Sequence, residues 1–473
     1  MTDFSTYQPP GVYIEEGQTP LVSTASSAPA VLALVGPTIG YQTGLQAVTL
    51  TGEVAATLEQ AGIDSANVEV TLDNSTTVDP GEYVIAQTGS GTAKVTTVKR
   101  TADSEIPDGD QVTVSYRYVD ANFGVAKRFR DFDDVKASYG DPFDLDSGEI
   151  SSPLSLAAQV AFDSGASDII CVASEGSATA VTRAQLNTAY GMLEGVYAAN
   201  VIVPLPVGIT GTDVSPGDLI NVGTDLRNFC NTSSADRQYR TGLIGYEKTV
   251  TKDPVSIAAG IDSKRVGLVW PNRWNVNNST TGQLVEVGGL YAAAAVGGRQ
   301  VSLEPPISLT RKELSGFAGV PGDLRVSMTS AVRNAWSAGG VMVVEADRNG
   351  ALLIRHGLST DPTSVYTREL SLTRCKDRML QIIQDTLDAS GLIGSPIDDE
   401  MPVRLKGVVA GCMETSLSLG LVANYQNLKV RQRSTDPTVM EVKFEYLPPF
   451  PTNYIVVAFS INIENNSLLD LAA

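Results

Sequence analysis

Histidine occurs once in the chain, as His356 in the segment LLIRHGL. A Ser-His-Asp or Cys-His arrangement would have to use it, and no GxSxG turn supplies a nucleophile. A lone histidine beside a glycine reads as structural. Carboxylates cluster in DFDD (131–134) and DDE (398–400). Two such acids meeting in space would suffice for glycoside hydrolysis. At helix starts and between helices, however, they serve as caps or solvated loops. An aromatic content of 6% offers few platforms for a sugar. TGSGTAK (88–94) lacks the spacing and the Lys-Ser/Thr pair of a phosphate loop and reads as a hairpin turn. GFAGVPGD (316–323) reads as a loop. The cysteines Cys171, Cys230, Cys375 and Cys412 are far apart, with no CxxC and no HExxH. No catalytic, cofactor-binding or metal-ligating residue is expected, and no cofactor. The thiols are either buried and free or, in an oxidising environment, available for inter-subunit disulfides.

The elements around these residues are of several kinds. PPGVYIEE (9–16) is a strand-like fragment behind two prolines, which forbid a helix running into it. Its backbone groups need a partner that nothing nearby in sequence supplies. SSAPAVLALVGPTIG (26–40) is an apolar strand followed by a turn. Residues 41–125 change character, with short Thr- and Val-rich alternating runs separated by Asp, Gly, Asn and Pro, the pattern of a small antiparallel β-domain. FRDFDDVKASYGDP (129–142) reads as a helix with an acidic first turn and a stop at Gly140.

From about 150 to 300 helices alternate with apolar strands at Asp168–Ala173, Val201–Val203, Thr241–Glu247 and 265–272. That alternation predicts a sheet covered by helices on both faces. Residues 321–347 form another helix–Gly–strand unit. Amphipathic helices follow at about 371–389 and 402–420, then strands at 439–449 and 453–464, the last alternating at Ile455, Val457, Phe459, Ile461 and Ile463. Both ends of the chain thus carry a strand without an evident partner.

At 473 residues the length suits about three domains, and 42% apolar against 18% charged residues is a globular composition. The net charge of −19 argues against a protein that grips nucleic acid or an anionic membrane surface. Residues 301–473 hold 16 basic against 19 acidic side chains, whereas 41–125 hold 4 against 12. No secretory leader is visible, and the run Ala30–Val35 is far too short to span a bilayer.

The order of PPGVYIEE, APAVLALVGPTIG, FRDFDDVKASYGDP, GASDIICVAS and VIVP (201–204) resembles that of the contractile tail sheath family. Trp270-Pro271 and Gly289-Leu290-Tyr291-Ala292-Ala293 are similar to its later motifs. Val287-Gly288 stands where a Pro-Ser is usual, and GGVMVVEAD replaces a W-G-x-R-T segment. The resemblance covers most of the chain but skips 41–125.

The resemblance implies an α+β multidomain protein, with a sheath core whose mixed sheet is flanked by helices. Its parts would be an N-terminal arm (1–25), a core (26–40 and 126–310), an inserted outward-facing β-domain (41–125), a C-terminal tube-proximal α/β domain (311–452) and a C-terminal strand arm (453–473). Val12, Tyr13, Ile14, Ile455, Val457, Phe459 and Ile461 would be exchanged between subunits by β-strand addition. The near-neutral C-terminal part would face the tube, with Arg374, Lys376, Arg378, Arg404 and Lys406 as a basic patch. The implied partners are further copies in stacked, six-fold rings, a tail tube protein, a baseplate and a tail terminator, without direct nucleic-acid contact or membrane insertion. The protein would be made in a host cytoplasm and work in a virion tail during genome injection. The rival readings are a sheath of a non-phage injection device and a carboxylate-based hydrolase.

Overall fold

The computed structural model describes residues 30–38, 41–61, 63–72, 76–89, 95–119, 124–144, 147–209, 217–278, 281–456 and 458. The first strand, β1 (Val31–Pro37), is buried along its whole length. A strand apolar on both faces belongs in the middle of a covered sheet.

The chain then leaves that sheet for β2 (Tyr41–Leu50), β3 (Ala56–Ala61), β4 (Ile63–Leu72), β5 (Tyr83–Thr88), β6 (Val95–Arg100) and β7 (Asp110–Val119). These strands form two three-stranded antiparallel sheets, β2-β7-β4 and β3-β6-β5. Alternation does the work: Val112, Val114 and Tyr116 of β7 point inward and join Leu50, Leu58, Val70 and Val98 in a core of their own. Thr88 pairs with Val95, so TGSGTAK connects two antiparallel strands.

The chain returns through β8 (Ala126–Phe129), α1 (Phe132–Tyr139), α2 (Pro153–Asp163), β9 (Ile169–Ser174), α3 (Arg183–Gly191) and β10 (Ala199–Pro204). It continues through α4 (Gly217–Ala235), β11 (Thr241–Ile244), α5 (Pro254–Ile261) and β12 (Val266–Trp270). A short hairpin, β13 (Arg273–Asn277) and β14 (Leu284–Gly288), precedes α6 (Gly289–Val301). Then come β15 (Glu313–Leu314), α7 (Gly322–Ser327), α8 (Ser330–Ala338), β16 (Val341–Ala346), β17 (Leu352–Ile354) and α9 (Val365–Arg368). The last elements are α10 (Leu370–Ala389), α11 (Met401–Ser418), β18 (Asn424–Gln432) and β19 (Met440–Leu447).

Nine strands form the main sheet in the order β15-β17-β16-β12-β11-β10-β1-β9-β8. The strands from β16 to β9 in that order run parallel, while β8 at one edge and β17 and β15 at the other run antiparallel to their neighbours. Helix α6 lies against the face carrying Leu32 and Val203, with α2 packed on α6, and α4 lies against the opposite face at Gly242. The expected sheet covered on both faces is therefore present, with mixed edges.

The boundary expected at 310/311 does not coincide with a break in the fold. β15, β16 and β17 extend the main sheet, and Leu314, Val341–Val344, Leu352 and Ile354 share its core. The core of the C-terminal unit, separate from that of the main sheet, begins only at Met379, halfway along α10. Helix periodicity locates a helix, but not the sheet that a following strand joins.

Helix α6 sits close enough to its neighbours that glycine is required. A Cβ at Gly298 would stand 2.2 Å from the carbonyl oxygen of Ala161 in α2, which is backbone and cannot rotate away. Gly298→Val should therefore cost about 3 kcal/mol, read as a lowered denaturation midpoint with an unchanged slope.

Candidate assembly surface

The C-terminal unit is built from one half of α10, all of α11 and the β18–β19 hairpin. Met379, Ile383 and Leu387 recur on one face of α10 and meet Leu405, Val409, Cys412 and Met413 of α11. Leu421 and Val422 close the base, and Leu428, Val430, Val442, Phe444 and Tyr446 lay one face of the hairpin over the helices. The other face is polar. Glu445 accepts from Gln426 (2.9 Å) and Asn427 (2.7 Å), while Arg433 and Arg431 converge on Glu441 at 2.8 and 2.7 Å. Those guanidiniums, Arg433 foremost, hold the Glu441 carboxyl below the usual carboxylate range.

The hairpin is, among the described residues, a sheet of two strands. Among the described residues neither outer edge is paired, so both strands present backbone N–H and C=O groups outward. Open edges of this kind accept additional strands. Strand β18 was not expected from the sequence. Its only apolar residues are Tyr425, Leu428 and Val430, and a register shift between Gln426 and Lys429, with Asn427 at φ 58°, breaks the period of two.

From Pro448 to Val456 the chain runs without secondary structure. Pro448 and Pro449 are buried, and the Phe450 ring meets Tyr366 edge-on at 5.4 Å. Ile455 and Val456 are then 81% and 91% exposed, two adjacent apolar side chains. Of the residues expected to exchange between subunits, only Ile455 is within the described residues; Val12, Tyr13, Ile14, Val457, Phe459 and Ile461 lie outside them.

The expected basic patch divides. Arg374 is not on a surface: it is 8% exposed, and its guanidinium donates to the carbonyls of Gln300 (3.0 Å) and Leu303 (2.6 Å) at the end of α6. Burial pushes its pKa down to about 10. Lys376 and Arg378 are half-buried, and Arg378 donates to Gln381 at 2.8 Å. Arg404 and Lys406 are exposed on α11, with Arg404 held at 2.9 Å by Asp398. The amphipathic pattern of α10 was legible, but the helix is covered on more than one side.

All four cysteines are free and buried, on β9, α4, α10 and α11. Desolvation pushes the Cys230 and Cys375 thiols up to about 12, and the Cys171 thiol higher still. The inter-subunit disulfide expectation is therefore corrected: a thiol inside a core cannot reach another molecule, and a protonated one does not attack. Non-reducing gels of assembled particles should show monomers only.

The acidic clusters act locally. Asp131 caps α1 by accepting from Asp133 N (2.8 Å), and Asp398 accepts from Met401 N (2.8 Å) at the start of α11. His356 is buried, with Nε2 2.7 Å from Glu369 Oε1. Among the described residues no group of three His, Cys, Asp or Glu side chains is placed to hold a metal ion. One charged feature escaped sequence reading: Arg333 and Arg355 each donate to Glu345 at 2.8 Å, and Arg311 lies 3.6 Å from it. These residues come from separate elements, so no local motif announces the cluster at the sheet edge.

No family model matches the sequence. The chain is 32% identical over 425 residues to the tail sheath protein of Mycobacterium phage Bxz1, covering 87% of this chain and 70% of that protein. Among solved structures it resembles a chain of the anti-feeding prophage baseplate, with a TM-score of 0.55 and 14% identity, covering 97% of this chain and all of the other. It also resembles the contracted helical sheath of the same prophage, with a TM-score of 0.53 and 13% identity over the same shares. The structural likenesses establish the fold, and the sequence identity over most of both chains goes further: this chain belongs to the contractile tail sheath protein family.

Proposed function

We propose that the chain is the repeating subunit of a phage contractile tail sheath, polymerising helically around a rigid tail tube. On release by a baseplate the sheath shortens and drives the tube through the target envelope during genome injection. The observation that carries this reading is the C-terminal hairpin with two edges open among the described residues, next to an exposed apolar tail, in a relative of a phage tail sheath protein. Strands donated by neighbouring copies would complete the hairpin into a larger sheet. Backbone hydrogen bonds would then link subunits while whole domains move as rigid bodies. Contraction would draw its energy from new contacts between subunits, and the role is structural rather than enzymatic.

In this arrangement the C-terminal unit lies nearest the tube, and Arg404 and Lys406 on α11 present the basic contact. Subunits stack as six-fold rings, with a tail terminator at one end. The protein works in the virion tail. The acidic β2–β7 insertion points outward as a decoration. Replacing 41–125 by a short Gly/Ser linker should leave tube formation intact, and loss of tubes in that variant would refute the decorative role.

The likeness to the anti-feeding prophage chains keeps a non-phage injection device as the second reading. Capsid genes beside the coding gene would separate the two. Negative-stain microscopy of the purified protein tests the reading itself: tubes or stacked rings are expected, and solitary particles under all salt and concentration conditions would overturn it.

A further inference from the structure

The C-terminal tail does not leave the body where its last strand ends. Just before the exposed Ile455 it is held by a set of hydrogen bonds at Asn453. Thr310 Oγ1 donates to Asn453 Oδ1 at 3.1 Å, and Asn453 Nδ2 donates to Glu369 Oε1 at 2.9 Å. The same Glu369 oxygen lies 2.7 Å from His356 Nε2. Glu369 is fully buried at the start of α10, and Arg368 Nε stands 3.6 Å from it. The Tyr454 ring closes over His356 edge-on, with centroids 6.4 Å apart.

Packing holds the first part of the tail, through buried Pro448 and Pro449 and the Phe450 ring on Tyr366, but it does not extend to Asn453. Residues 450–454, together with Val365, Arg368 and Glu369, line an open cleft of about 270 Å³. Beyond Phe450 the tail borders this cleft, and the side-chain hydrogen bonds of Asn453 tie it to the body there. A buried carboxylate that accepts from an uncharged donor makes one of the stronger bonds available, roughly 1.5–3 kcal/mol.

We propose that Asn453, clamped between Thr310 and the Glu369–His356 pair, is the fastening point that fixes where the C-terminal arm departs from its own subunit. The inference rests on the reading that this arm is exchanged between copies. Asn453 is a positioning residue. Without the clamp, residues 451–454 would join the free segment and add about 14 Å of slack to the link between subunits. A slack link cannot hold a neighbour in register while domains rotate.

The test uses spin labels at Ile455→Cys and Val403→Cys in the full chain, dissociated from polymer. Both positions are exposed, whereas the four native thiols are buried and will not label. The unaltered clamp should give a narrow distance distribution. Asn453→Asp removes the donor and sets a second carboxylate against Glu369, and should broaden the distribution at least twofold with little change in melting temperature. Adding Glu369→Gln reverses the donor and acceptor across the same contact and should restore the narrow distribution. A single variant as narrow as the parent, or a double variant no narrower than the single, would overturn the clamp. Failure of the parent chain to form tubes would instead count against the proposed function, leaving the label result to judge the clamp alone.

Discussion

Removal of residues 1–25 is expected to abolish tube formation while leaving a folded, soluble subunit. Each edge of the β18–β19 hairpin, open among the described residues, offers a row of backbone groups. A donated strand of about five residues would supply several hydrogen bonds, each worth a net ~1 kcal/mol. Val12 and Ile14 would share one face, and burying each contributes about 1.5–3 kcal/mol. The loss per junction is then several kcal/mol, and it recurs at every subunit of a polymer. Val12→Asp with Ile14→Asp should reproduce the truncation, since a charge on the packed face costs more than the lost methyl groups. Tyr13→Ser, on the opposite face, should weaken assembly less. Sedimentation and negative-stain images give the readout, with circular dichroism as the folding control. Tubes of normal length from the truncated chain would end the strand-exchange idea.

The second large effect lies at the joint between the main sheet and the C-terminal unit. Arg265, just before β12, forms a two-pronged pair with Asp377 on α10, at 2.5 and 2.9 Å. The same guanidinium donates to the carbonyl of Arg240 at 3.1 Å, and both side chains of the pair are 8% exposed. Asp377→Ala leaves a buried guanidinium without its counter-charge and should destabilise the chain by about 3–5 kcal/mol. Replacing both partners, as Arg265→Met with Asp377→Leu, removes the charges together and should be near neutral or stabilising. Chemical denaturation separates these outcomes. Cys375, two positions from Asp377 and buried, adds a local probe: its thiol should react with a disulfide reagent at least tenfold faster in Asp377→Ala than in the double variant. Equal stability of all three chains would show that hydrophobic packing, not the ion pair, joins α10 to the sheet.

Both arguments rest on pairings far apart in the chain, and there sequence reading was weakest. Apolar runs such as VLALVGP and IICVAS were legible as β1 and β9, because a strand buried on both faces carries its burial in its composition. Helices α10 and α11 were legible from periodicity, and DFDDVKASYG displayed its own cap and stop at Asp131 and Gly140. Strand β18 was hidden, because a bulge and a polar outer face left too few apolar residues to show a period. The role of Arg374 was misjudged, whereas of the two readings of the cysteines the structure shows the buried, free one. A residue type states what a side chain can do in water, whereas α6 ends where its carbonyls take the Arg374 guanidinium out of water.

By itself, then, the sequence determined the local elements, the absence of a recognisable catalytic motif, the acidic insertion and a family resemblance carried by the order of short segments. Each is set by neighbours within a few turns of chain, where propensity and periodicity act. Only the tertiary structure decided that 311–354 complete the main sheet, that among the described residues the last hairpin has both edges open, and that the tail is gripped at Asn453. Those outcomes depend on desolvation and hydrogen bonding between residues up to 143 positions apart, as between Thr310 and Asn453. Local composition does not encode which distant surface a given side chain will meet.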